Sequence, residues 1–169
     1  MSILPIFIPH AGCPHQCVFC NQKTISGQKL AAVAAAKEQL VRWRSWLQPS
    51  AANEAAFYGG SFTGLPLELQ EELLTLTDAL LAEGFIGSVR LSTRPDYIDE
   101  ERLQLLQQHG VRLVELGVQS LDDRVLAAAE RGHTAAQVAP AVALLKRFGF
   151  QVGLQLMVGM PEQSFASVQ

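Results

Sequence analysis

Cys13, Cys17 and Cys20 are the only cysteines of the chain, and all three fall in one short stretch, Gly12-Cys13-Pro14-His15-Gln16-Cys17-Val18-Phe19-Cys20-Asn21. Their spacing is Cys-x3-Cys-x2-Cys, directly after an apolar, strand-like run. An odd number of thiols cannot all pair as disulfides, and bridges that staple a fold need partners elsewhere in the chain. The set therefore reads as metal ligands in a reducing compartment. A cubane iron–sulfur cluster carries four irons and usually takes four thiolates, so three protein ligands leave one iron open to a substrate or cofactor. The alternative is a Cys3His zinc site completed by His15 or His10. Zinc sites more often draw on two separated pairs, and no second pair is present here. His10 and His15 otherwise read as loop residues that shape the site. His109 and His133 lie near expected helix ends, where an imidazole is usually exposed or caps the helix.

The elements that must position this loop follow from the apolar pattern. Short apolar runs at Ile3 to Ile8, Ala55 to Tyr58, Ser88 to Ser92, Arg112 to Leu116 and Gln151 to Val158 alternate with helical stretches, the rhythm of βαβ units around a parallel sheet. Val33, Ala36, Leu40, Trp43 and Leu47 form one helical stripe, and Leu69, Leu73, Leu76 and Leu80 another. Both are core faces, with Trp43 and Trp46 expected to pack on the sheet. Pro66 suits a first helical turn, Asp99 and Asp122 suit N-caps, and Gly110 and Gly149 suit the residue after a helix end. Thr134 to Gln137 reads as a capping box. Pro140 conflicts with a helix begun at Thr134, at a cost of about 3 kcal/mol, so the sequence predicts a kink there or a helix that starts near Pro140.

With 169 residues, 49% of them apolar, the chain can bury a real core and suits a single domain over 1–169. A net charge of -3 gives no basic footprint for phosphate binding, so a grip on RNA would have to come from another region. No stretch reads as a signal peptide or a membrane span, which points to a soluble cytoplasmic protein.

The cysteine segment resembles the signature loop of radical S-adenosylmethionine (SAM) enzymes. The resemblance implies that Cys13, Cys17 and Cys20 hold a [4Fe-4S] cluster while SAM chelates the fourth iron through its amino and carboxylate groups. Phe19, directly before the last cysteine, matches the ring that this family places beside the adenine. The wider wording, Phe7-Ile8-Pro9-His10 before the loop and Asn21-Gln22-Lys23-Thr24-Ile25-Ser26-Gly27 after it, is most similar to the radical SAM domain of the elongator catalytic subunit family, and marks residues 10–28 as the cluster loop. The family fold is a partial (β/α) barrel of six strand–helix units. At roughly 30 residues per unit this α/β chain holds about five, arranged around a parallel sheet. A helix should be starting at Phe165 to Gln169, no sixth unit follows, and a truncated chain or a fragment is expected. The last strand would then present an unpaired edge.

Functional groups of parallel barrels gather at the C-terminal ends of strands. Gly59-Gly60-Ser61 stands where the family usually has Gly-Gly-Glu and holds the amino group of SAM through the backbone; a tight turn explains the glycines nearly as well. Thr93 and Arg94 match positions that reach the ribose or carboxylate of SAM, against ordinary loop polarity. Gln119 and Arg131 resemble the ribose-binding glutamine and the carboxylate-binding arginine, the latter suited by its two parallel donors; the alternative for Arg131 is an exposed helix-end cation. Gln155 takes the place of a ribose-binding carboxylate in the related oxygen-independent coproporphyrinogen oxidases. An amide amid apolar residues needs a partner, which fits a ligand-facing role.

The resemblance implies reductive cleavage of SAM to a 5′-deoxyadenosyl radical that abstracts hydrogen from a substrate, and the elongator-like wording points to a tRNA base as that substrate. It also implies an external one-electron reductant of flavodoxin or ferredoxin type, and no membrane. Two other readings stay distinct: a non-catalytic cluster-binding remnant, and a Cys3His zinc-binding module.

Overall fold

The computed structural model describes residues 2–8, 13, 15–20 and 31–165, the side chains of 31 and 32 excepted. The elements are β1 (Ile3–Phe7), α1 (Ala31–Trp46), β2 (Glu54–Tyr58), α2 (Leu67–Ala82), β3 (Ser88–Thr93), α3 (Glu100–Gln108), β4 (Val111–Gln119), α4 (Asp123–Ala128), α5 (Val138–Arg147) and β5 (Gln151–Leu156). Short 3-10 turns occupy Phe62–Gly64, Pro95–Tyr97 and Ala135–Gln137. The five strands form one parallel sheet in the order β1-β2-β3-β4-β5.

Spatial order equals chain order, and every step from strand to strand passes through at least one helix. The sheet winds in one direction and has no reversal point, which distinguishes a barrel-type sheet from a doubly wound one. Its helix-covered face is a continuous apolar layer. Leu4 and Ile6 of β1, Ala55 and Phe57 of β2, Val89 and Leu91 of β3, and Val114, Leu116 and Val118 of β4 are all at 0% exposure. Leu40, Leu73, Leu103, Leu106 and Leu145 pack on them from the helices. The opposite face is polar: Arg90 Nη2 donates to Glu115 Oε1 at 2.7 Å and Nη1 to Glu54 Oε2 at 3.4 Å, while Ser88 Oγ donates to Glu54 Oε1 at 3.1 Å. A parallel sheet covered by helices on both faces would carry hydrocarbon at these positions. Half-buried charges instead mark this face as the lumen side of a partial barrel.

Several local expectations hold. Asp99 accepts from the Arg102 backbone N–H and Asp122 from that of Arg124, both at 2.9 Å, and Gly110 and Gly149 follow the caps of α3 and α5. Gln137 Oε1 accepts from the Thr134 backbone N–H at 2.9 Å. Pro140 causes no kink: α5 begins at Val138, and a first-turn proline has no intrahelical acceptor to lose.

Other details differ. Pro66 is the N-cap of α2, one position before the first turn. Trp43 packs on the core and donates from Nε1 to the Pro5 carbonyl at 2.8 Å, but Trp46 is 66% exposed and meets only the edge of the Trp43 ring among the aromatic side chains. β4 runs three residues past Leu116, so Gly117 to Gln119 belong to the strand. Among the described residues β5 pairs with β4 alone, and Leu154 and Leu156 are 49% and 60% exposed. The expected helix from Phe165 onward lies, beyond that residue, outside the described ones. No helix among the described residues is long and apolar enough to cross a membrane.

Candidate functional site

Parallel register brings the C-terminal strand ends to one rim, with Phe7 beside Tyr58 and Thr93 beside Leu116. The described candidates from the sequence stand on that rim or just beyond it. Of the expected cluster loop 10–28, residues 10–12, 14 and 21–28, His10 among them, lie outside the described residues, as does Pro9. What is described is anchored well. Val18 N–H donates to the Ala129 carbonyl at 3.2 Å, fixing the loop to the end of α4, and Cys20 N–H donates to the Cys17 carbonyl at 2.8 Å in a tight turn. Cys17 is buried, Cys13 and Cys20 are half-buried, and Phe19 is 38% exposed.

Burial pushes the Cys20 thiol above its ordinary range, and the neighbouring Cys17 and Cys13 sulfurs push it further, against the pull of Arg131. Cys20 thus senses both other sulfurs, and bound metal deprotonates such thiols outright. Among the described residues no three His, Cys, Asp or Glu side chains converge on a point that would hold one metal ion. A cubane takes each cysteine on a different iron. The donor set, soft thiols flanked by buried cations, fits the cubane.

Two arginines reach these sulfurs. Arg94, just after β3 and 1% exposed, donates from Nη1 to Cys13 Sγ at 3.9 Å. Its other nitrogens are clamped by Asp96, Nε to Oδ1 at 2.8 Å and Nη2 to Oδ2 at 2.9 Å, and the pair holds the Asp96 carboxyl below its usual range despite burial. Arg131, 8% exposed, donates from Nη1 to Cys17 Sγ at 3.7 Å and from Nη2 to the Gly117 carbonyl at 2.6 Å. The exposed helix-end alternative for Arg131 is therefore overturned, because the chain turns inward after α4. Gly117 leaves room for this guanidinium: a Cβ there would stand 3.0 Å from both Arg131 Nη2 and Gln119 Nε2.

The remaining candidates are arranged as follows. Thr93 is buried and its hydroxyl is committed to Thr63, at 2.6 Å from the Thr63 hydroxyl and accepting from the Thr63 backbone N–H at 3.3 Å. Gln119 closes β4 with a φ of 69°, where the pairing with β5 shifts register. A non-glycine residue held there stores strain that the surrounding sheet must hold in place. Gly59 follows β2 at a φ of 101°, and a side chain on it would run into the Ile8 carbonyl and the Phe7 ring. Gly60 lies beside it, and Ser61 is buried as the cap of the 3-10 turn Phe62–Gly64. Gln155 is exposed on β5 opposite Gly117, so its side chain needs no internal partner.

The Radical SAM superfamily profile matches residues 7–169. The chain belongs to the radical SAM superfamily. Members of that superfamily use a [4Fe-4S] cluster and SAM. Over 74 residues the chain is 40% identical to a tRNA uridine(34) acetyltransferase of Dehalococcoides mccartyi, an alignment that covers 44% of this chain and 16% of the relative. The radical SAM fold is shared with the archaeal Elp3 of Methanocaldococcus infernus, at a TM-score of 0.68 and 22% identity over 98% of this chain and 40% of that one. It is shared equally with the Escherichia coli coproporphyrinogen III oxidase HemN, at 0.71 and 21% over 99% and 39%. The chain thus spans less than half the length of each of these proteins.

Around this site, sequence reasoning gave no role to Asp96, Gly117 and Gly132, and placed His133 near a helix end as exposed or capping. Gly132 has a φ of 80°, and a Cβ there would overlap the His15 ring of the cysteine loop. Gly132→Ala combines left-handed strain of about 1 kcal/mol with displacement of that loop. We expect lower iron uptake per chain than in the unsubstituted protein, and an added His15→Ala should recover uptake but leave the strain, which a double-mutant cycle resolves.

His133 is not at the surface: it is 4% exposed, and among the described residues its ring nitrogens make no well-formed hydrogen bond, only a loose contact with the Val118 backbone. Burial, then the Arg131 and Arg94 charges, lower its pKa to about 4, with Asp96 opposing. Between about pH 4 and 6.5 the unfolded chain therefore takes up a proton that the folded one refuses. His133 leaves stability intact above pH 6.5 and removes up to about 3 kcal/mol as pH falls to 4. Urea midpoints of the cluster-free protein across that window should fall with pH, and His133→Phe should flatten the slope.

Proposed function

We propose that residues 1–169 form the radical SAM core domain of an enzyme in which Cys13, Cys17 and Cys20 hold a [4Fe-4S] cluster. The observation that carries this reading is the direction of two buried arginines, Arg94 and Arg131, at the Cys13 and Cys17 sulfurs of the loop that follows β1. When bound, the cluster supplies the electron for reductive cleavage of SAM, and the 5′-deoxyadenosyl radical so formed takes a hydrogen atom from the substrate. The protein's share is ligation, orientation and exclusion of water. Phe19, partly exposed next to Cys20, stacks on the adenine. The Gly59-Gly60-Ser61 turn offers backbone groups to the amino group of SAM, and Gln119 and Gln155 serve the ribose. Thr93 and Arg94, whose polar atoms are committed to Thr63 and to Asp96 and Cys13, shape the pocket wall. Arg131 keeps Nε without a partner among the described residues, and offers it to the carboxylate of SAM.

A tRNA base is the proposed substrate, supported by the likeness to a tRNA uridine(34) acetyltransferase and by the elongator-like wording. With a net charge of -3, the domain leaves most of the grip on tRNA to other regions. The electron comes from an external flavodoxin- or ferredoxin-like donor. Anaerobic reconstitution followed by electron paramagnetic resonance (EPR) of the reduced protein, with and without SAM, tests the reading. A cubane signal that SAM perturbs is expected. Protein that takes up no iron or sulfide, or a signal indifferent to SAM, overturns it.

A further inference from the structure

We propose that Arg94 and Arg131 set the reduction potential of the bound cluster, by donating N–H···S hydrogen bonds to two of its three cysteine ligands. The inference rests on the ligand assignment above and extends it to a role for the two arginines that is separate from SAM binding. In each guanidinium one Nη points at a sulfur, Cys13 at 3.9 Å or Cys17 at 3.7 Å. The Asp96 carboxylate holds both other nitrogens of Arg94, and the Gly117 carbonyl holds Nη2 of Arg131. Two unrelated segments, one after β3 and one after α4, thus deliver a clamped cation to adjacent members of the same cysteine motif. Neither cation is at the surface, at 1% and 8% exposure.

Reduction places one electron on the cluster, supplied by the external donor, with no bond made or broken. Donors directed at the ligand sulfurs stabilise the more negative state, and burial strengthens the effect because little water screens it. The two arginines are not equivalent. Arg94 is neutralised by Asp96, whereas Arg131 has no carboxylate partner among the described residues. Arg131 therefore carries the larger share, and Asp96 works against Arg94.

The test is an EPR-monitored redox titration of the reconstituted protein without SAM, with dithionite as reductant, so that SAM binding and turnover do not enter. At a fixed potential Arg131→Gln should lower the ratio of reduced to oxidised cluster at least tenfold, a shift of 59 mV for one electron. Arg131→Lys, which keeps the charge and loses the fork, should fall between. Arg94→Gln should lower the ratio by a smaller factor, and Asp96→Asn should raise it. The opposite sign of Asp96→Asn separates tuning from general damage to the fold, which would move all variants one way. Ratios within twofold of the unsubstituted protein in the variants that retain full iron and sulfide overturn the proposal, as does an Asp96→Asn shift in the direction of Arg131→Gln. If Arg131→Gln fails to load, Arg131→Lys and the Arg94 and Asp96 variants decide by the same criteria. Failure of the ligand assignment itself shows separately, as an unsubstituted protein that takes up no cluster.

Discussion

Cys17→Ala is expected to abolish cluster assembly completely. Of the three cysteines Cys17 is the buried one, at 4% exposure, and its backbone carbonyl anchors the turn that sets Cys20. Removal of its sulfur leaves two thiolates for four irons, and it also takes from the buried Arg131 Nη1 its acceptor at 3.7 Å. A buried donor left without a partner costs roughly 1–3 kcal/mol, more for a charged group, so the loop loses its seat as well as a ligand. Iron and sulfide content after anaerobic reconstitution is the measurement. A Cys17→Ala protein that retains a full cubane by EPR would refute the ligand assignment.

Phe57→Ala should be the most damaging single truncation in the core. Phe57 is at 0% exposure on β2, pairs in register with Ile6 and Leu91, and meets the Phe62 ring at 4.9 Å between centroids. Truncation of a buried phenylalanine costs about 3–5 kcal/mol through lost transfer energy and the cavity left behind. Domains of this kind have about 5–15 kcal/mol in total. Phe62 belongs to the turn that follows Gly59-Gly60-Ser61, so the damage should spread to the candidate SAM-binding backbone. Urea unfolding of the cluster-free protein should show the midpoint falling with the slope unchanged. Trp46→Ala, at a ring that is 66% exposed, should stay within about 0.5 kcal/mol, and a larger loss there than at Phe57 would invalidate the layer assignment.

The residues that could be read from sequence are those whose role depends on neighbours in the chain. Three cysteines within eight positions announce a ligand set wherever the loop is placed, and Asp99 and Asp122 cap helices three or fewer residues away. The strand–helix alternation is legible for the same reason: the helix-covered face of each of β1 to β4 is apolar along its own length. The end of β4 was hidden because Gly117 and Gln119 break the apolar run, although pairing with β5 carries the strand through both. Trp43 and Trp46 belong to the same helix, and only contact with the sheet, including the bond to the Pro5 carbonyl, separates the half-buried ring from the exposed one. His133 and Arg131 follow α4 closely, where a chain usually meets water. Glu130, at a φ of 52°, turns the segment inward instead. The contact between Arg94 and Cys13 joins residues 81 positions apart, a distance over which a single sequence carries no signal.

The coincidence of chain order with spatial order has a consequence for synthesis. Each new strand can settle beside its predecessor as it leaves the ribosome, without waiting for a later segment to be threaded between two earlier ones. The thiols, translated before these strands, therefore stand bare while β2, β3 and β4 accumulate, and Arg131, which follows α4, is made after Arg94. Metallation completed before that arginine emerges would meet an unfinished, water-filled cradle, so the finished socket favours maturation after translation.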